Sequence, residues 1–161
     1  MIQLLKTRWP SLLCFFALII FLQSVGSAVT FPNIPTWYAN LNQPPWTPPN
    51  WLFGPVWTTL YIMLAIFGWR LWHSFSNDRF KQPVIQFYFL QLFFNFLWSP
   101  LFFWYHWTAI AFVDLLLIIL FTVLTFIQTR KIFPALAWWL IPYLLWLCYA
   151  ASLNGAIAYL N

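Results

Sequence analysis

Long apolar stretches alternate with short polar segments along this chain of 161 residues. Five of the apolar stretches are close to or longer than the roughly 20 helical residues needed to cross the hydrocarbon core of a bilayer. The pattern predicts an all-α integral membrane protein: a bundle of five transmembrane helices in a single domain, residues 1–161. The predicted spans are residues 12–29, 54–75, 84–105, 107–128 and 133–159.

The connection between the first two spans, residues 30–53, is rich in proline and tryptophan and carries no charge. Four of the twelve prolines fall within positions 44–49. Proline fixes φ and disfavours the α region for the preceding residue, so we predict a stiff, non-helical loop. Pro55 suits the first turn of the next helix, where a missing N–H costs no hydrogen bond. An uncharged loop of this kind is expected to cap an internal apolar pocket.

Polar side chains interrupt the third and fourth spans. A carboxamide in hydrocarbon is costly unless it is hydrogen-bonded, so Gln91 and Asn95 should point into the bundle. Asn95 is expected either to contact a ligand or to bridge two helices. Asp114 is the only carboxylate within a predicted span, and it shares a helical stripe with Thr122, Thr125 and Thr129. An intramembrane acid is a functional hypothesis by default, although the sequence favours a role in fixing helix packing.

Two prolines predict bends in the third and fifth spans, and the fifth span also has one face that should point into the bundle. Pro100 and Pro142 each deprive the carbonyl one turn earlier of its helical hydrogen bond, so a bend is expected near both. In the fifth span, residues at helical spacing share one face, which should look into the bundle: Tyr143, Trp146, Ala150 and Asn154.

Composition excludes a soluble domain and charge sets the expected orientation. Hydrophobic residues make up 63% of the chain, charged residues 6%, and the mean hydropathy is +0.77. Although the net charge is +5, no nucleic-acid partner is predicted, because the cations form no continuous patch. With five spans, they all fall on one side of the membrane, which the positive-inside rule makes cytoplasmic together with the N-terminus. They are Lys6, Arg8, Arg70, Arg79, Lys81, Arg130 and Lys131.

Three further features of the sequence concern a signal peptide, a metal site and thiol chemistry. The basic start, the apolar run and the small residues Gly26 and Ala28 also resemble a cleavable signal peptide, although an uncleaved first span is favoured. His106 lies in a short turn with no suitably spaced second ligand, so no metal site is predicted. Cys14 and Cys148 lie inside spans and form no CxxC motif, which argues against thiol–disulfide chemistry.

Four sequence blocks, spread in order over nearly the whole chain, carry a family resemblance. They are residues 37–38 with 44–57 and 60–61, residues 91–92 with 95–103, residues 114–117, and residues 142–146 with 150 and 153–154. On these blocks the chain closely resembles the tryptophan-rich sensory protein/translocator protein family, also called the peripheral-type benzodiazepine receptor family. The resemblance implies a homodimeric five-helix bundle whose first loop caps a ligand pocket.

The resemblance also implies a ligand class and the residues that would contact it. Members bind porphyrins and haem-type tetrapyrroles, isoquinoline carboxamide and benzodiazepine drugs, and in animals cholesterol. By position, Trp51 matches the tryptophan linked to porphyrin photochemistry, and the pocket positions are matched by Tyr61, Asn95, Trp98, Trp146 and Ala150. The expected ligand-binding set adds two loop residues and two inward-facing residues of the spans, namely Trp37, Pro44, Asp114 and Tyr143.

Sterol binding through the C-terminal motif of animal members is doubtful, because Tyr159 is followed only by Leu160 and Asn161 and no cation. The expected function is a receptor or carrier of porphyrin or haem-type ligands, in stress sensing or tetrapyrrole regulation or transport, with no obligatory cofactor. The alternatives are a light- and oxygen-dependent porphyrin-degrading enzyme with Trp51 as candidate catalytic residue, and a structural membrane protein. A bacterial cell membrane is favoured over the mitochondrial outer membrane.

Overall fold

The computed structural model describes the backbone of residues 2–75 and 78–161 and the side chains of residues 9–75 and 78–161. The side chains of Lys6 and Arg8, two of the predicted cytoplasmic cations, lie outside the described residues. So do Ser76 and Asn77, which begin the polar connection predicted between the second and third spans.

The prediction of an all-α bundle with five membrane-spanning helices is confirmed. Within the described residues, five helical segments are long and apolar enough to cross a bilayer. Four of the segments contain one α-helix each, and the fifth contains two, separated by a short turn. The bounds are α1 Ile2–Asn33, α2 Phe53–Trp72, α3 Pro83–Ser99, α4 Thr108–Ile132, α5 Pro134–Ala137 and α6 Ile141–Leu160.

Helix α1 is longer at both ends than the predicted span 12–29. Hydropathy marks the apolar stretch, whereas a helix continues as long as its backbone groups find partners. At the outer end of α1, the Asn33 amide donates to the carbonyl of Val29, and the Thr36 hydroxyl donates to that of Pro32. The Ile34 N–H also bonds the Thr30 carbonyl at 3.2 Å, so helical hydrogen bonding continues to this point and the capping loop begins at residue 34 rather than 30. The Thr36 bond satisfies one of the last four carbonyls, which the helix end leaves free.

The prediction of a loop without helical structure is wrong at its two ends. Tyr38–Asn40 and Asn50–Leu52 each form a single 3-10 turn, and α2 begins directly after the second. Both turns lie beside the proline-rich positions 44–49, so the missing proline N–H groups do not interrupt them. Pro55 occupies the first turn of α2 as predicted.

Helices α3 and α4 form an antiparallel hairpin, joined through a short turn at residues 105–107. Instead of a simple bend, Pro100 begins a π-helical turn, Pro100–Trp104, in which the Tyr105 N–H bonds the Pro100 carbonyl at 3.0 Å. His106 adopts a positive φ of 57° in the tight turn that follows.

The break in the fifth span lies before Pro142 and not at it. A 3-10 turn, Trp138–Leu140, separates α5 from α6, and Pro142 occupies the first turn of α6. The carbonyl of Trp138, which Pro142 cannot bond, accepts instead from the N–H of Ile141. The shift from α to 3-10 geometry thus satisfies the acceptor that the proline leaves free.

Close approach of α2 and α3 depends on Gly68. A Cβ built there would lie 2.8 Å from Cε1 of Tyr88 and closer still to its Cζ and hydroxyl. The hydroxyl of Tyr88 donates to the carbonyl of Leu64 in α2 at 3.0 Å. Ala65 and Gly68 are both buried, as expected for small residues that let two membrane helices approach closely.

Candidate functional site

A cavity of about 280 Å³ lies among the helices, just under the loop that joins α1 to α2. Small-molecule sites typically span about 300–1,000 Å³ and are mostly apolar with a few polar groups. Helices α1, α2, α3, α4 and α6 all contribute to the wall, as do Tyr38 and Asn50 of the loop. Exposed side chains among the lining residues place its opening between α1 and the start of α2: Phe31, Asn50 and Thr58.

The roof of the cavity is anchored by packing and by hydrogen bonds. The Trp37 ring stacks on His106 with centroids 4.0 Å apart, and the buried Tyr38 packs against Phe102 and Phe103. Burial raises the pKa of the Tyr38 phenol above its ordinary value of 10.0, and Tyr149 raises it further. Tyr38 is therefore a neutral group at physiological pH.

The loop is also tied to α6 and the C-terminus. The hydroxyl of Tyr149 donates to the carbonyl of Trp46 at 2.8 Å. The backbone N–H of Asn42 donates to Oδ1 of Asn161 at 2.9 Å, and the Asn161 amide donates to the carbonyl of Asn42 at 3.1 Å. The roof is therefore fixed to α6 as well as to the two helices it connects.

A buried chain of side-chain hydrogen bonds joins α2, α3 and α6 at one end of the cavity. Tyr61 donates to Oδ1 of Asn95 at 2.5 Å, and Nδ2 of Asn95 donates to the Tyr143 hydroxyl at 2.9 Å. Tyr143 in turn donates to Oε1 of Gln91 at 3.0 Å. Asn95 thus bridges helices with both ends of its amide, and it also lines the cavity. The two interpretations of Asn95 are compatible.

A second set of polar contacts holds the other wall. The indole N–H of Trp98 donates to Oδ1 of Asn154 at 3.0 Å, and the Asn154 amide donates to the carbonyl of Thr108 at 2.8 Å. Trp98 also stacks on Phe102 with centroids 5.2 Å apart. Because the Trp98 N–H is already bonded to Asn154, Trp98 contributes mainly its ring face to the cavity.

Trp146 differs because its indole N–H has no partner within the described residues, although the atom is buried. Its ring meets Phe53 and Trp57 edge-on, with centroids 6.0 and 6.3 Å away. A buried donor without a partner costs about 1–3 kcal/mol, which a bound acceptor would recover. Trp146 is therefore a wall residue whose buried N–H is left unpaired within the described residues.

The structure brings five of the ten sequence-predicted ligand-binding residues to the cavity wall, and they are Tyr61, Asn95, Trp98, Trp146 and Ala150. Tyr143 stands one step behind the wall, bonded to Asn95. Trp37 and the buried Pro44 lie in the loop but do not line the cavity. Trp51 is 71% exposed and also lies outside the wall. In this arrangement, a ligand in the cavity would not contact the Trp51 ring.

Asp114 is buried but does not line the cavity, although the next residue, Leu115, does. Within the described part of the chain, its Oδ2 has no hydrogen-bond partner. Two of the threonines predicted to share its stripe bond their own helix, since Thr122 donates to the carbonyl of Ile118 and Thr125 to that of Phe121. The third, Thr129, is buried and its hydroxyl has no partner within the described residues. Asp114 is therefore turned away from the cavity, which leaves no direct contact with a ligand there.

Helix α1 also contributes to the wall, although none of its residues is in the predicted ligand-binding set; the sequence predicts only that Gln23 and Ser27 face other helices. Gln23, Gly26, Ser27 and Thr30 line the cavity, and Gln23 donates to the Thr58 hydroxyl of α2 at 2.7 Å. These small or polar residues recur at helical spacing on one face, a pattern that could have identified the wall.

Comparison with known proteins agrees with the architecture. The model of the TspO/MBR family matches residues 14–160. The chain is 38% identical to tryptophan-rich protein TspO of Archaeoglobus fulgidus over 137 residues, which cover 84% of this chain and 87% of the relative. It is 36% identical to the human translocator protein over 152 residues, with coverage of 94% and 85%. It is 32% identical to protein CrtK of Rhodobacter capsulatus over 129 residues, with coverage of 78% for each.

The match to the family model includes all or most of each of the five spans and the whole loop that roofs the cavity. The resemblance noted in the sequence is confirmed, and the protein is an integral membrane protein. The chain belongs to the TspO/MBR family.

Proposed function

We propose that this protein is a membrane receptor or carrier that binds a porphyrin or haem-type tetrapyrrole in the cavity beneath the loop. The observation that carries the proposal is the aromatic wall of a roofed, largely apolar cavity. Trp98, Trp146 and Phe53 present ring faces and edges to it, and aromatic groups of this kind pack well on a flat conjugated ligand. The family resemblance points to the same ligand class, in stress sensing or in tetrapyrrole regulation or transport.

The position of the cavity opening supports an apolar ligand. Phe31 and Thr58 lie at the exposed faces of α1 and α2, which pass through the hydrocarbon region. A ligand dissolved in the bilayer would reach the opening without crossing water. The buried N–H of Trp146 then offers one hydrogen bond to an acceptor on the ligand.

We also propose an orientation of the protein in a bacterial cell membrane, based on the positions of its cations. Arg70 ends α2, Arg79 and Lys81 lie in the α2–α3 connection, and Arg130 and Lys131 end α4. These positions share one end of the bundle, which we call the basic end. The positive-inside rule supports a cytoplasmic basic end and N-terminus, with the roofed cavity near the opposite surface.

The test is a titration of the purified protein with protoporphyrin IX, followed by quenching of its tryptophan fluorescence. An Ala150→Leu variant is expected to bind about tenfold more weakly, because overfilling a packed site costs about 1–3 kcal/mol. The matched control is Ala17→Leu, which adds the same side chain to an exposed position of α1 outside the cavity. No quenching in the wild type, or equal affinities in Ala150→Leu and the wild type, would refute binding at this site.

The geometry gives no support to the alternative of a porphyrin-degrading enzyme that uses Trp51, because that ring is exposed and outside the cavity. Replacing Trp51 by phenylalanine is expected to change protoporphyrin affinity by no more than about twofold, as surface substitutions usually do. The measurement is the same quenching titration, run beside the rate of porphyrin bleaching under light and oxygen. Slower bleaching in Trp51→Phe at unchanged affinity would instead support the enzymatic function of Trp51.

A further inference from the structure

A second cavity lies at the basic end, far along α2 from the roofed cavity. Its volume is about 470 Å³, and it occupies the space between the end of α2 and the connection from α4 to α5. We call it the basic-end pocket. Its wall consists of Trp69, Arg70, His73, Ser74 and residues 132–136.

One side of the basic-end pocket is polar and cationic. Arg70 is exposed, and its guanidinium carbon lies 5.9 Å from the centroid of the Trp139 ring. The ion pair found within the described residues joins Lys81 to Asp78 at 3.3 Å, so Arg70 has no carboxylate partner there. A guanidinium in this situation offers a planar fork of N–H donors that matches the oxygens of a phosphate.

Hydrogen bonds to α1 and a ring contact fix the side chains on the polar side of the pocket. The indole N–H of Trp69 donates to Oγ of Ser11 at 3.1 Å, and the same Oγ lies 2.7 Å from Nε2 of His73. The rings of Trp69 and His73 also meet edge-on, with centroids 5.7 Å apart. These contacts join the end of α2 to α1 and fix the imidazole beside the pocket.

The opposite side of the pocket is apolar. Residues 132–136 contribute isoleucine, phenylalanine, proline, alanine and leucine side chains, and they connect two membrane-spanning segments. The pocket therefore lies where the hydrocarbon region ends, with a cation on one side and hydrocarbon on the other. A free phosphate ester would use only the first side, whereas an amphiphile uses both.

The charge around the pocket favours an anion. Five described cations lie at this end of the chain, namely Arg70, Arg79, Lys81, Arg130 and Lys131, against the single carboxylate of Asp78. Basic pockets between transmembrane helices attract anionic headgroups, with a contribution of about 1 kcal/mol from each nearby cation. A zwitterionic headgroup would gain much less from the same field.

We propose that the basic-end pocket binds an anionic phospholipid, with the headgroup phosphate on Arg70 and the glycerol and upper acyl carbons against residues 132–136. The site is separate from the roofed cavity, so the proposal does not depend on the porphyrin ligand. A lipid held here would brace the end of α2 against the α4–α5 connection.

The test compares phosphatidylglycerol with phosphatidylcholine of the same acyl chains, added to the full-length protein in detergent. Native mass spectrometry counts the bound lipids and gives an apparent Kd for each. The wild type should prefer phosphatidylglycerol, and Arg70→Gln should weaken its binding about fivefold, the factor that corresponds to one lost cation. Phosphatidylcholine carries the same phosphate but no net charge, so it should bind more weakly to the wild type and lose less in this variant, and the preference for phosphatidylglycerol should shrink.

Lys81→Gln is the matched control, since it removes one exposed cation from the basic end but lies outside the pocket. It should retain the preference of the wild type. Equal losses in the two variants would overturn the site in favour of diffuse surface attraction, and no lipid preference in the wild type would overturn it outright. Displacement of the lipid by an equal concentration of glycerol phosphate would assign the site to a soluble phosphate ester and so refute the lipid.

A second variant covers the case in which Arg70→Gln does not fold. Ala135 lines the pocket from an exposed position, so Ala135→Leu fills the space at little expected cost to stability. It should weaken phosphatidylglycerol binding, whereas Ala109→Leu, an exposed alanine of α4 outside the pocket, should not. Unchanged binding in Ala135→Leu would contradict the proposal.

Discussion

A Gly68→Ala variant is expected to lose about 3 kcal/mol of unfolding free energy or more, which is the upper end of the usual cost of overpacking. The added methyl group would overlap the ring of Tyr88, which is buried and whose hydroxyl is bonded to the carbonyl of Leu64. Neither the ring nor the backbone of α2 can move aside cheaply, so the two helices must separate. Unfolding in sodium dodecyl sulfate, followed by tryptophan fluorescence, measures the loss.

Gly54→Ala is the control, because it makes the same change in the same helix with nothing within 4 Å of the added atom. Alanine is the better helix former by about 1 kcal/mol, so this variant should be as stable as the wild type or slightly more stable. Equal destabilisation of the two variants would show that α2 and α3 do not meet closely at Gly68.

The second large effect is expected for Asn95→Leu, which keeps the side-chain volume similar and removes the amide at the centre of the polar chain. Tyr61 loses its acceptor and Tyr143 loses a donor, and an unsatisfied buried donor costs about 1–3 kcal/mol. Both hydroxyls are buried among α2, α3 and α6. The same unfolding assay reports the loss.

A double-mutant cycle isolates the contact from other effects of the substitution. Tyr61→Phe removes the hydroxyl that Asn95 accepts from, so the combined variant should cost less than the sum of the two single variants. Additive losses would mean that Tyr61 and Asn95 are not coupled, in contradiction to the short hydrogen bond between them.

Span number and helical faces could be predicted from the sequence because both follow from periodicity. The apolar runs predicted five spans, and stripes at helical spacing, together with the family resemblance, predicted Tyr61, Asn95 and Trp146 as pocket residues. A stripe gives only the angle of a side chain about its helix axis. It does not say whether the space in front of that side chain is open or filled, which explains why Tyr143 is one step behind the wall.

Other features could not be predicted, since they depend on backbone partners or on non-periodic packing. The proline-rich loop has no repeat from which to read an inward face, so the exposure of Trp51 was not evident. The position of the break before α6 depends on how the Trp138 carbonyl finds a donor. Asp114 lies beside a cavity residue but faces elsewhere, a difference of about 100° for one step along a helix.

The polar groups of the roofed cavity have one more consequence. Asn95, Asn154 and the Trp98 N–H are already bonded to other parts of the protein, so they have little capacity left to read the functional groups of a guest. At these residues, recognition depends on the thickness and hydrophobicity of the guest, and its polar groups are left to the Trp146 indole and to the polar wall of α1. Such a chamber should be promiscuous, accepting planar guests of differing ring substitution with similar strength, and evolution could change its preference through one wall residue without disturbing the scaffold.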